Sequence, residues 1–253
     1  MKTVLITGAT SGIGMEFARR YAQMGYRLVL VGRRMNRLEE FQASSEAECR
    51  LIQKDISNTE ACKELLDEVS DETIDIFINN AGFGTTGNFT ETDLEKELSM
   101  IYVNDVAMHI LFKGILQKMQ TNGGGSILNV ASSAGLLPAG PYMATYYATK
   151  AYVVSLTRAV AHELKQMNSP VYVAALCPGP VDTEFNKNAD VIFALKGISA
   201  KQCVAECLSG MERHKTIIVP SLRMKAATFF QHFVPMPLLI KMVAGQQKKK
   251  IYT

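Results

Sequence analysis

Seven short apolar runs punctuate the chain: 3–7 (TVLIT), 27–31 (RLVLV), 50–53 (RLIQ), 74–79 (IDIFIN), 126–130 (SILNV), 171–176 (VYVAAL) and 216–220 (TIIVP). They are short and rich in β-branched and aliphatic residues, which predicts buried strands. Between them, as in 15–24 (MEFARRYAQM) and 152–167 (YVVSLTRAVAHELKQM), apolar positions recur at helical spacing. Strands alternating with helices of this length predict βαβ crossovers, and hence an α/β fold with a doubly wound parallel sheet, a three-layer αβα sandwich. The glycines 123–125 read as a turn before the fifth strand. No repeat or linker divides the sequence, so 1–253 is read as a single domain. Its atypical extension, 221–253, is apolar and basic and carries Lys248, Lys249 and Lys250.

Composition narrows the function classes. With 47% apolar and 20% charged residues, 253 residues can bury a full core. A formal charge of +3 falls short of the clustered positive surface of a nucleic-acid binder, so no nucleic-acid partner is expected. Cys49, Cys62, Cys177, Cys203 and Cys207 are odd in number and form no CxxC pair, which argues against a disulfide framework and a zinc site; no metal is expected. The start, MKTVLITGAT, lacks a signal-peptide cleavage pattern, and no apolar run reaches the ~18 residues of a membrane span, so the expected location is cytoplasmic.

The first predicted strand ends in TGATSGIG, residues 7–14. Gly8, Gly12 and Gly14 suit a tight turn, close approach of backbone N–H groups to a pyrophosphate, and packing of a helix whose N-terminus faces the anion. Thr10, Ser11 and Ile13 belong to the same cradle. A glycine-rich turn directly after strand one of an α/β pattern predicts a dinucleotide site. An NAD-binding fold places an acidic residue about 20 positions on, for the ribose 2′-hydroxyl. No carboxylate occurs between Phe17 and Leu38; Arg33 and Arg34 stand there instead. At the start of a helix such cations oppose the dipole unless an anion is near, and a 2′-phosphate is such an anion, so the predicted cofactor is NADP(H).

With NNAG at 79–82, Ser133, Tyr146 and Lys150 in YxxxK spacing, and PGPVDT at 178–183, the chain resembles the short-chain dehydrogenase/reductase family over roughly residues 3–220. The implied fold is Rossmann-type. The resemblance further implies that Asn79, Asn80, Ala81 and Gly82 lie near the cofactor, that Asp55 with Ile56 sits by the adenine, and that Pro178, Gly179, Val181 and Thr183 run along the nicotinamide. It also implies that Asn104 holds a water in a proton relay.

Hydride transfer to a carbonyl leaves an alkoxide that needs a proton. Free tyrosine, with a pKa of about 10, is a weak acid for this, and a nearby ammonium or the oxidised nicotinamide's positive charge lowers it. Tyr146 and Tyr147 stand four and three residues before Lys150, so helical geometry admits both, while Tyr142 falls in the preceding loop. The family spacing of thirteen residues between serine and tyrosine joins Ser133 to Tyr146. The expected catalytic set is Ser133, Tyr146 and Lys150, with Asn104 behind it; Tyr146 and Lys150 also contact cofactor.

Phe83, Leu136, Leu137, Tyr142, Met143, Phe185 and Phe193 fall in segments expected to line a substrate cleft, which points to a small, mostly apolar carbonyl or alcohol substrate, steroid-like or acyl among the classes. Two alternatives stand beside the oxidoreductase reading: a nucleotide-sugar epimerase or dehydratase, and a non-catalytic NADPH sensor. A homodimer or homotetramer is expected, although the family's closing Thr-Gly…Asp-Gly-Gly segment, part of the usual tetramer interface, is missing. Residues 221–247 have two candidate uses: a helix capping the pocket or a neighbouring subunit, or a surface touching membrane.

Overall fold

In the computed structural model, which describes residues 1–184 and 197–251, seven strands form one parallel sheet. In chain order the elements run β1 (Thr3–Thr7), α1 (Gly12–Gln23), β2 (Arg27–Gly32), α2 (Met35–Ala43), β3 (Cys49–Gln53), α3 (Thr59–Glu68) and β4 (Ile76–Asn79). They continue with α4 (Leu94–Ile101), a π-helical segment (Tyr102–Ala107), α5 (Met108–Thr121), β5 (Gly125–Val130), a 3-10 turn (Ser133–Leu136), α6 (Ala144–Gln166) and β6 (Val171–Leu176). A short parallel pair, β7 (Val181–Asp182) with β8 (Ile198–Ser199), precedes α7 (Ala200–Glu212) and β9 (Ile217–Ile218). The C-terminal part holds α8 (Leu222–Phe230), a 3-10 turn (Gln231–Phe233) and α9 (Met236–Ile251).

The sheet order is β3-β2-β1-β4-β5-β6-β9, so the chain reverses direction across the sheet between β1 and β4. Ligands of doubly wound sheets bind in the crevice at that switch point, beyond the carboxyl ends of the strands. Period-two alternation gives the sheet two apolar faces. Leu5, Val29 and Phe77 pack with Leu111, Phe112 and Ile115 of α5, whereas Val4, Ile6 and Leu30 pack with Phe17 and Tyr21 of α1. Truncating Phe17 to Ala would cost about 3–5 kcal/mol, the scale for a buried aromatic.

The predicted runs all contain strands, with the last shortened to Ile217–Ile218. The 152–167 helix extends back to Ala144, because apolar Tyr146 and Tyr147 join the buried face. The β7–β8 pair and the π-helical segment were not predicted: two-residue strands and a shifted helical hydrogen bond leave no periodic signature. Glycines 123–125 all have positive φ, as the predicted turn requires. Cys203 and Cys207 share the buried face of α7 as core residues. Among the described residues no helix is long and apolar enough to cross a membrane.

Candidate active site

The turn after β1 is shaped by what it excludes. A Cβ at Gly14 would lie 2.4 Å from the Gly8 carbonyl oxygen, and one at Gly8 would meet the Asn80 amide nitrogen at 2.8 Å. The Asn80 amide in turn donates to the carbonyls of Thr7 and Gly8 at 3.0 and 3.2 Å, tying the end of β4 to the turn. Gly14 is therefore a packing glycine, placed behind a cavity of about 790 Å³ rather than in its wall; Gly8, Gly12 and Ile13 are in the wall. Asn79 is likewise turned into the core, where its amide donates to the Met108 carbonyl at 3.0 Å and to Asn129 at 3.2 Å. That corrects its expected place beside the cofactor; Asn80, Ala81 and Gly82 do border the cavity.

Arg33, Arg34, Asp55 and Ile56 border one end of the cavity. Arg34 stands at the N-terminal boundary of α2 and donates to the Thr10 hydroxyl and carbonyl, both at 3.2 Å. Its guanidinium also pairs with Glu184 at 3.0 Å. No sequence signal points to this carboxylate, since 150 residues separate the partners and only the fold joins them. Arg33 remains largely exposed and reaches Asp55 at 3.9 Å. The glycine turn and the cavity beside it fit a nicotinamide dinucleotide. A more open depression of about 940 Å³ shares Thr10, Ser11 and Gly12 of the turn and runs past Arg19 and Glu46, away from Tyr146 and Tyr147.

At the inner end α6 presents Tyr146, Tyr147 and Lys150, all buried. Lys150 Nζ donates to the Val130 carbonyl at 3.1 Å and stands 5.8 Å from the Tyr146 ring centroid. Gly135 lets the turn after β5 close on α6, because a Cβ there would sit 2.2 Å from the Lys150 carbonyl oxygen. Ser132 Oγ accepts from Ala134 N at 3.1 Å, capping that turn, and its hydroxyl is hydrogen-bonded to the Tyr146 phenol. Here the structure departs from the expectation, which joined Ser133 to the tyrosine. Ser133 lines the cavity and its backbone N–H donates to the Pro178 carbonyl at 2.8 Å. A residue count taken across the loop 137–143 cannot fix which serine arrives, since loop length shifts register freely.

Burial pushes the Tyr146 phenol up to about 12, against the lowering effect of Ser132. Burial also brings Lys150 down to about 8, opposed by Asp105, whose own carboxyl burial raises to about 7. Among the described residues Asp105 Oδ1 is buried without a hydrogen-bond partner. Asn104, on the π-helical segment, lies behind the wall: its amide donates to the Phe83 carbonyl at 2.9 Å and to Thr149 at 3.1 Å, while its Oδ1 accepts from Phe83 N at 3.0 Å. Tyr147, also raised to about 12 by burial, receives a hydrogen bond on its hydroxyl from Gln247 of α9.

Phe83, Leu137 and Met143 line the cavity as expected. Leu136 packs against the core and Tyr142 is held in a turn with φ +66°, its carbonyl accepting from Gly87 N at 2.9 Å; neither is in the wall. Phe185 and Phe193 lie outside the described residues. The C-terminal part supplies apolar wall that the motif-bearing segments do not: Met224, Phe230, Leu239, Met242 and Val243. Pro178, Gly179, Val181 and Thr183 complete it.

A family model described as short chain dehydrogenase matches residues 2–191. An uncharacterized oxidoreductase of Staphylococcus epidermidis is 32% identical over 192 residues, covering 75% of this chain and 82% of the relative. A short-chain dehydrogenase from Sphingobium yanoikuyae, solved in complex with NADPH, is similar at a TM-score of 0.82 and 30% identity, over 92% of this chain and 94% of that one. A short-chain dehydrogenase/reductase from Burkholderia phymatum, solved with NAD, also gives 0.82, at 25% identity over 92% and 93%. The chain belongs to the short-chain dehydrogenase family of nicotinamide-dependent oxidoreductases.

Proposed function

We propose that the protein is an NADP(H)-dependent reductase acting on the carbonyl of a mostly apolar substrate, with Ser132, Tyr146 and Lys150 as its catalytic residues. The observation that carries the reading is the Tyr146 phenol, hydrogen-bonded to Ser132 beside a buried lysine in the wall of the cavity that the glycine turn also borders.

When bound, the dihydronicotinamide supplies the hydride. The Ser132 hydroxyl donates to the carbonyl oxygen and stabilises the charge that grows there, as an oxyanion donor does. Tyr146 Oη passes its proton to that oxygen. With the phenol held near pKa 12, the resting group is protonated at neutral pH, which is the form that reduction uses. The Lys150 ammonium stabilises the phenolate left behind, and Asn104 anchors the strand of backbone at Phe83 that borders both. Arg33 and Arg34 support the choice of NADP(H), and the apolar wall supports the substrate class. The test is NADPH oxidation over a panel of ketones and aldehydes, with alcohols and NADP⁺ in reverse. Turnover confined to small charged substrates, or equal use of NADH, would defeat the respective half of the reading.

A further inference from the structure

The C-terminal part carries an apolar face that is exposed among the described residues. Not one residue of α8 is buried. Phe229, Phe230 and Phe233 are 60%, 62% and 73% exposed, yet they cluster, with ring centroids 5.4 Å apart for the first pair and 5.6 Å for Phe229 and Phe233. Met236, Leu238 and Met242 extend the exposed surface along α9. Isolated exposed apolar residues need no explanation, but a contiguous aromatic patch marks an interaction site.

Charge decides among the occupants. Residues 213–253 contain eight of the 27 Lys and Arg residues and none of the 24 Asp and Glu residues. The preceding 212 residues therefore hold 19 basic against 24 acidic groups, a formal −5, so the positive charge is concentrated in this segment. Arg223 and Lys241 are exposed on the helices that carry the aromatic patch, whereas Lys225 is already paired with Glu206 at 3.2 Å. A second copy docked here through a two-fold axis would bring the same basic patch against itself, with like charges apposed. An anionic bilayer neutralises those cations and accepts the aromatic rings at its headgroup boundary.

We propose that α8, the 3-10 turn and α9 form a docking surface for an anionic lipid bilayer. Phe230 and Met242 are exposed on that surface and also line the cavity, so the docked protein opens its substrate cavity at the lipid boundary. An apolar ketone dissolved in the bilayer then reaches Tyr146 without crossing bulk water. That last consequence rests on the proposed function; the docking itself does not.

The experiment is flotation of the full chain with vesicles of phosphatidylcholine containing about 30% phosphatidylserine, against phosphatidylcholine alone. Binding to the anionic vesicles is expected, weakened about tenfold or more in ~0.5 M salt, where screening shortens the reach of surface charge. The double variant Phe229→Ser/Phe233→Ser, whose residues do not line the cavity, should lose about tenfold or more of the binding while retaining turnover of a water-soluble carbonyl. Flotation reads no turnover, so an inactive protein that floats would sink the proposed function and leave the docking standing. Absence of flotation, or equal binding to uncharged vesicles, overturns the docking proposal. So does a dimer in light scattering that the double variant converts to monomer, since a second copy then occupies the face.

Discussion

Ser132 and Tyr146, fourteen positions apart, are hydrogen-bonded through their side chains, with Lys150 one helical turn beyond the tyrosine. The same Ser132 oxygen caps the turn that Gly135 presses onto α6, so folding of the turn and placement of the hydroxyl are one event.

Ser132→Ala should therefore lower kcat about 10²–10³-fold, the scale of a lost oxyanion donor, whereas Ser133→Ala should keep most of it. Steady-state NADPH oxidation separates the two, and the reverse ranking would restore Ser133. On the same assay Tyr146→Phe should abolish turnover with cofactor binding intact, and Tyr147→Phe should leave substantial activity.

Arg34 is held by Thr10 and shared with Glu184. Losing its charged hydrogen bonds to a 2′-phosphate corresponds to about 10–100-fold in affinity. Arg34→Ala should raise the KM for NADPH by that factor and leave the KM for NADH nearly unchanged. Equal losses for both cofactors would show the arginine to be structural.

The two reaction directions should respond oppositely to pH. Alcohol oxidation needs Tyr146 as the proton acceptor, and a phenol near pKa 12 yields more phenolate as pH rises, so oxidation should accelerate through alkaline pH. Reduction needs the protonated phenol and the charged lysine, and should decline as Lys150 loses its proton near 8. Asp105 raises the Lys150 pKa, so Asp105→Asn should move that decline to lower pH. A kcat–pH profile unmoved by the substitution would remove Asp105 from the site's electrostatics.

Gly14→Ala places a methyl 2.4 Å from the Gly8 carbonyl oxygen, a backbone atom that cannot swing aside. A loss of about 1–3 kcal/mol is expected, read as a lower Tm, together with weakened cofactor binding because the turn is displaced. An unchanged Tm would mean that the helix and turn are less tightly packed than this.

Glu72 lies where β2 and β3 approach the loop before β4, taking two hydrogen bonds from Arg27 and one from Arg50, which hold its carboxyl below the ordinary range. A depressed folded pKa contributes stability above the unfolded value, and that contribution is lost as pH falls through the folded one. Glu72→Gln should cost about 1–3 kcal/mol in urea unfolding at neutral pH, and the difference should shrink in acid below the usual carboxylate range. A pH-independent difference would assign the effect to packing.

The strand runs were legible because a two-sided parallel sheet demands continuous apolar segments, and β1 through β6 supplied them. The glycine turn and the Tyr146/Lys150 pair were legible because their partners are local: one turn, or one helix face. What escaped the sequence depends on loops and distant returns. The hydrogen bond between Ser132 and Tyr146 follows from the seating of a 3-10 turn, and Glu184 reaches Arg34 only after the chain has crossed the sheet. Asn79 and Asn80 are adjacent in sequence, and strand alternation sends one into the core and the other to the turn.

Gln247 holds the hydroxyl of Tyr147, the side chain beside the proposed acid, while Met242 and Val243 from the same helix close the cavity. Two parts of the fold therefore meet in one chamber: α6 brings the phenol and the lysine, and the last helix brings apolar wall. Exchanging the segment from α8 onward for another would re-tailor the substrate while leaving the hydride and proton machinery as it stands.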